Sequence, residues 1–145
     1  MVKINDIDLL IAVIGLHGSE TKGRTRIQKE ICILKHKDKI PFGLEFKSYY
    51  YGPYSSELTS AMDTLVSTGL LEQTTTRLGV DVFRYDYVLT KQGKRLLDAT
   101  EKKLKKTHPK WLSRISNRVR ELDEMPIPQL VLLAKKCSGI DSKHL

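Results

Sequence analysis

The sequence predicts a mostly helical α+β fold carrying one small β-hairpin, and three observations predict it. Apolar residues recur at helical spacing in six separate segments. One stretch, VFRYDYVLT at 82–90, alternates as a strand does. The chain has 145 residues, 40% of them apolar and 29% charged, which is enough for one core of ordinary composition.

The first helix is NDIDLLIAVIGLH (5–17). Ile7, Leu10, Ile11 and Ile14, with Leu16 beside them, face a core; Asn5 or Asp6 caps the start and Gly18 ends the segment. SETKG is a loop. RTRIQKEICILKHK (24–37) repeats Ile27, Ile31 and Leu34 at i, i+4, i+7 and forms a second helix. Pro41 and Gly43 mark DKIPFGLE (38–45) as a connection. FKSYYY (46–51) reads as a short strand broken by Gly52-Pro53. Alternation would send Tyr50 to one face and Tyr49 and Tyr51 to the other, so the rings form no single platform and some pack under the turn.

The third helix runs from Pro53, suited to a first turn, to Thr68. Leu58, Met62, Leu65 and Val66 form its core face and Gly69 takes the C′ position. LLEQTTT (70–76) and VFRYDYVLT (82–90) flank RLGVD as a hairpin. Phe83, Tyr85, Tyr87 and Leu89 share one face of its second strand. Thr90 caps a helix over 91–106. A further helix over 109–125 has Trp111, Leu112, Ile115, Val119 and Leu122 on its apolar face. Lys110, Arg114 and Arg118 form a basic line on another face. Pro126 and Pro128 break the chain before a short apolar helix, QLVLLAKKC (129–137).

The charge is uneven. Residues 1–70 carry nine Lys/Arg and eight Asp/Glu, whereas Lys91 to Arg120 alone hold eleven bases against two acids. A concentration of this kind suits a polyanion, of which nucleic acid is the commonest. Cys32 and Cys137 each lie in an apolar pattern and read as buried free thiols. The four histidines have no metal-ligand spacing, and no metal or cofactor is expected. No nucleotide loop, nucleophile elbow or framed pair of carboxylates is present. Nothing accompanies Tyr49, Tyr50 or Tyr51 that would make one a covalent nucleophile, and the chain does not read as an enzyme. No apolar run reaches membrane-spanning length, and Asp6 and Asp8 stand where a secretory signal would be basic. The expected location is cytoplasmic.

The order helix, helix, strand, helix, hairpin, helices describes a winged helix-turn-helix domain over 4–90. A helical extension over 91–138 follows, packed on that domain or used for dimerisation, and then a loose tail over 139–145. Met62, Leu65, Gly69, Leu70, Leu71 and Glu72, followed by Tyr87, Leu89, Thr90, Gly93, Leu96 and Leu97, resemble the helix-end, wing and next-helix pattern of winged-helix regulators. GRTRIQKEICIL, with YYYGPYSSELTSAMDTLVSTGLLE about fifteen residues later, resembles the small winged-helix proteins of the YwgA-like group. It is more distantly similar to Panacea/SocA-type antitoxin domains. The likeness covers about residues 20–97.

The resemblance implies a third helix in the DNA major groove and a hairpin on backbone or minor groove. The residues expected at duplex DNA are Lys22, Arg24, Arg26 and Lys29 around the second helix and Tyr54, Ser55, Ser56, Thr59 and Ser60 at the start of the third. Arg77 and Arg84 of the wing and Lys91 and Lys94 of the following helix complete the set. The third helix has no Lys or Arg, so phosphate contacts from its neighbours would dominate. The expected function is a DNA-binding regulator acting as a homodimer through Trp111, Leu112, Ile115, Val119 and Leu122. The alternative is an adaptor that uses the same fold to bind a protein.

Overall fold

A computed structural model describes residues 4–17 and 20–142, with the side chains of 20–22 outside the description. The fold is mostly helical, with a three-stranded antiparallel sheet and a separate two-stranded hairpin. No helix among the described residues is long and apolar enough to cross a membrane.

Helix α1 (Asp6–Leu16) opens on a capping box. Asn5 Oδ1 accepts from the Asp8 amide at 2.9 Å, and the Asp8 carboxylate accepts from the Asn5 amide at 3.4 Å. Every residue from Asp8 to Ile14 is buried, Leu9, Ala12 and Val13 included. The single core face expected here is therefore too narrow. The helix is enclosed because two later helices and two strands of the sheet pack on it. It ends at Leu16 with His17 at the cap; Gly18, expected to end it, lies outside the described residues.

Strand β1 (Glu20–Lys22) corrects the loop reading of SETKG. Three polar residues carry no strand pattern of their own, and their partner is more than sixty residues away in the last strand of the sheet. Helix α2 (Arg24–His36) keeps Ile27, Ile31 and Leu34 on its core side. The connection that follows is more than a spacer. Ile40, Phe42, Leu44 and Phe46 are buried while Pro41, Gly43 and Glu45 are exposed, which is a period of two that the sequence displayed.

FKSYYY is not one strand. Strand β2 (Lys47–Tyr49) turns at Tyr50-Tyr51 and returns antiparallel as β3 (Gly52–Tyr54). Gly52-Pro53 therefore lies inside a strand, and Pro53 does not begin a helix. Helix α3 (Ser56–Ser67) starts after Ser55, whose hydroxyl accepts from the Leu58 amide at 3.1 Å. It ends as expected on Gly69, which has φ 80°.

Strands β4 (Leu71–Gly79) and β5 (Val82–Leu89) form the predicted hairpin, and the sheet order is β1-β5-β4. Tyr87 and Leu89 are buried and Tyr85 packs on the core, but Phe83 is 45% exposed because the hairpin extends beyond the helices. Thr90 caps α4 (Lys91–Thr107). Its hydroxyl accepts from the Gly93 amide at 3.0 Å and donates to the Gly69 carbonyl at 2.6 Å. Gly93 lies so close to the chain leaving α3 that a Cβ there would sit 2.2 Å from the Leu70 carbonyl oxygen.

Helices α5 (Pro109–Asp123) and α6 (Ile127–Ser138) complete the chain. Pro128 sits in the first turn of α6 and does not delay it, since a first-turn amide has no intrahelical acceptor to lose. Helices α4 and α5 pack on α1, and α6 packs on α2. Leu122, Leu130 and Ala134 belong to the same buried cluster as Leu10 and Ile31. Cys32 is buried, Cys137 is half-buried, and both are free thiols; burial pushes the Cys32 thiol up to about 11.

Candidate nucleic-acid interface

The basic residues of α2 turn inward. Arg26 donates to the carbonyl oxygens of Leu122 at 3.1 Å and Met125 at 2.8 Å, supplying donors to the orphan acceptors at the end of α5. Lys29 is 3% exposed and donates to the Pro53 carbonyl at 2.7 Å; burial pushes its amine down to about 8. Neither is placed to meet a phosphate, which corrects the expectation for both. Both point into the space that α5, α6 and β3 fill. Arg24 stays partly open. Its Nε donates to the Tyr87 hydroxyl at 2.8 Å, its guanidinium lies 4.0 Å from the Tyr85 ring centroid, and Asp63 is 3.8 Å away. The side chain of Lys22 lies outside the described residues.

The start of α3 also differs from expectation. Ser55 is fully buried. Its amide donates to Gln28 Oε1 and its carbonyl accepts from Gln28 Nε2, each at 2.8 Å, so it is a joint between helices and not a phosphate ligand. The Tyr54 hydroxyl is 2.8 Å from Thr59 Oγ1, which also accepts from Gln28 at 3.2 Å. Tyr54 and Thr59 are therefore committed to the same joint. Ser56 and Ser60 remain exposed, as do Glu57, Asp63 and Thr64.

The tyrosines are brought together rather than split. The rings of Tyr49 and Tyr54 stack at 4.8 Å, and Tyr50 meets Tyr49 edge-on at 4.8 Å. Tyr49, Tyr50 and Tyr51 are all exposed, so none packs under the turn. One continuing strand would split the rings between two faces, but the chain reverses at Tyr50-Tyr51.

The hairpin and α4 carry the open charge. Arg77 is exposed and bonds its own turn at Gly79. Arg84 reaches Asp86 at 3.0 Å and is partly exposed. Leu78, Val80, Val82 and Phe83 are exposed around the hairpin tip. On α4, Lys91, Lys94, Arg95, Lys102, Lys105 and Lys106 are exposed and form no ion pair among the described residues; Lys103 pairs with Asp8 at 3.6 Å. On α5, Lys110 and Arg114 are exposed, but the basic line stops there. Arg118 is taken by Asp38 at 2.9 Å and by Glu121 at 2.9 Å.

The expected dimer face is spent within the chain. Ile115, Val119 and Leu122 have no exposed surface left for a second copy, because they pack into the core around α1. Leu112 is half-buried, and half-buried Trp111 stacks on His108 at 3.5 Å with the rings nearly parallel.

Sequence reasoning missed one polar cluster. His17 Nε2 lies 2.6 Å from Glu30 Oε2, and its Nδ1 lies 3.2 Å from Asp123 Oδ1. Burial opposes charge on His17, but the hydrogen bond and charge of Glu30, together with those of Asp123, outweigh it and raise the imidazole above its usual value. The nearest oxygens and nitrogens of the three lie within 4.8 Å of one another, a set able to hold a cation. Both ring nitrogens already face carboxylates, which is how an imidazolium bridges two acids. Residues 13 and 106 positions apart from His17 give no local motif to read.

The chain is similar to YwgA of Bacillus subtilis, an uncharacterized protein, with 39% identity over 79 residues. That stretch is 54% of this chain and 46% of YwgA, so the chain spans about half the length of the relative it matches. The likeness supports a YwgA-like relationship. No family model matches the chain, and no solved structure does.

Proposed function

We propose that this protein is a winged-helix protein that binds duplex DNA, mainly through the phosphate backbone, as a transcriptional regulator does. The observation that carries the reading is the open basic array on α4, set against a hairpin-and-helix arrangement suited to DNA. Strand β1, between α1 and α2, joins the sheet of a projecting hairpin, and α3 immediately precedes that hairpin with an exposed polar face. Arg77 and Arg84 on the hairpin and Lys91, Lys94 and Arg95 at the start of α4 supply the phosphate contacts. Ser56 and Ser60 supply neutral donors. Since α3 has no base and exposes Glu57 and Asp63, affinity exceeds sequence discrimination in this reading.

The test is a titration of the full chain with a labelled duplex at several salt concentrations. A binder making about six phosphate contacts loses about a thousandfold in affinity between 50 and 200 mM salt. Joint replacement of Lys94 and Arg95 by Glu flattens that slope. Absence of binding at low salt overturns the proposal.

A second reading is favoured by one observation. Leu78, Val80, Val82 and Phe83 leave the hairpin tip apolar and exposed, which suits a protein surface better than a phosphate backbone. A partner captured at high salt after nuclease treatment, and lost when Val80 and Phe83 become Ser, would establish this adaptor role in place of the DNA role.

A further inference from the structure

We propose that His17 is a pH-sensitive latch: its imidazolium ties the end of α1 to Glu30 of α2 and to Asp123 at the end of α5, and loss of the proton frees Asp123 and loosens the joint between α5 and α6. The latch does not depend on the DNA reading. His17 caps α1, and its side chain is 2% exposed. Nε2 lies 2.6 Å from Glu30 Oε2, and Nδ1 lies 3.2 Å from Asp123 Oδ1. A neutral imidazole has one N–H and one lone pair. With a carboxylate at each nitrogen, a neutral ring would set its lone pair against one of them. Only the imidazolium donates to both. A metal ion could use one ring nitrogen at most, whereas here each nitrogen has its own acid. The ring itself is therefore the cation of this cluster.

The two contacts are unequal. The Glu30 side chain is 1% exposed and has no route to water, whereas that of Asp123 is 58% exposed. The single N–H of a neutral ring therefore stays with Glu30, and Asp123 turns out to solvent. Arg26 donates to the Leu122 and Met125 carbonyls, so the end of α5 is held by one permanent cation and one that titrates.

The surrounding charges bias the ring without switching it. Among the described residues, Arg26 lies 3.8 Å from Glu30. Arg24, Arg26 and Arg84 line a cleft of about 800 Å³ on one side of the His17–Asp123 pair. Arg120 and Glu124 line a smaller cavity of about 180 Å³ on the other. His17 and Asp123 line both, so the pair stands between them and its release joins the two. Burial opposes charge on the ring, but Glu30 and then Asp123 raise it above its ordinary 6.5. The latch is complete below 6.5 and is lost as pH rises through the folded value.

The experiment follows the full chain by NMR across this range, reading the His17 ring nitrogens and amide exchange at Met125 and Leu130. Both ring nitrogens should carry protons at 6.5 in most molecules, with the loss at higher pH. Once that proton is gone, the Met125 and Leu130 amides, corrected for intrinsic exchange, should open about tenfold more often. Asp123→Asn alters only an exposed carboxylate and keeps the fold. It should move the His17 titration to lower pH, and below 6.5 it should already show the more frequent opening. A ring half neutral at or below 6.5, amide opening that does not follow the His17 titration, or an Asp123→Asn chain matching wild type in both readouts overturns the proposal.

Discussion

Helices α2 and α4 are both rich in Lys and Arg and use them in opposite ways. On α2, Arg24 donates to Tyr87, Arg26 to the end of α5, Lys29 to the Pro53 carbonyl and Lys35 to the Leu44 carbonyl. On α4, six bases point to solvent and, among the described residues, only Lys103 is in an ion pair. The difference lies in what surrounds each helix. α2 is packed by α5, α6 and β3, whose backbone carbonyls need donors where secondary structure ends. α4 packs on α1 and α5 and leaves its remaining surface to water. A basic residue on a central helix therefore serves the fold, and the same residue on a peripheral helix stays available to a partner.

The largest expected effect tests the inward half of this contrast. Arg26→Ala should cost about 3 kcal/mol in urea unfolding, because it strips two hydrogen bonds from the end of α5 and removes the cation beside buried Glu30. Among the described residues Glu30 Oε1 has no hydrogen-bond partner and sits 3.8 Å from Arg26, so the buried carboxylate would be left with His17 alone to meet its charge. A loss under about 0.5 kcal/mol would mean that α2 and α4 do not differ in this respect.

A comparable effect should appear as a pH dependence. The folded amine of Lys29 titrates near 8, below its ordinary 10.5, so between those values the unfolded chain binds more protons. The Lys29 contribution therefore becomes more favourable as pH rises from 8 to 10.5, by on the order of 3 kcal/mol. Wild type measured against Lys29→Met over this window isolates the effect from other titrations. Parallel stability curves would rule it out.

Smaller effects sharpen the outward half. Thr90→Ala should cost about 1 kcal/mol through loss of the α4 cap. Lys94→Ala should change stability by less than about 0.5 kcal/mol. If α4 faces DNA, Lys94→Ala should reduce the slope of log affinity against log salt by about 1. Unchanged salt dependence together with unchanged stability would remove α4 from the interface.

The hairpin and its junctions were legible because their signals are local. Gly69 ends α3, Thr90 caps α4 and the 82–90 alternation marks β5, each within a few residues. The Tyr50-Tyr51 reversal was missed because a run of aromatic residues reads equally as one strand or as two halves of a hairpin. Of the candidate site, the α4 residues were placed correctly on an exposed helix. Lys29 and Ser55 were misplaced because their burial depends on β3 and Gln28, 24 and 27 positions away.

By itself, the sequence determined which segments become helix and that 71–89 becomes a hairpin, where most of them stop, and that the positive charge gathers after residue 90. Period, capping and turn chemistry act over a few residues and need no partner. Only the tertiary structure decided that α1 is buried all round, that three polar residues join a sheet as β1, and that the bases of α2 end inside while those of α4 stay outside. Those outcomes depend on which distant element supplies a carbonyl, a carboxylate or an apolar face, and a linear pattern carries no record of that neighbour.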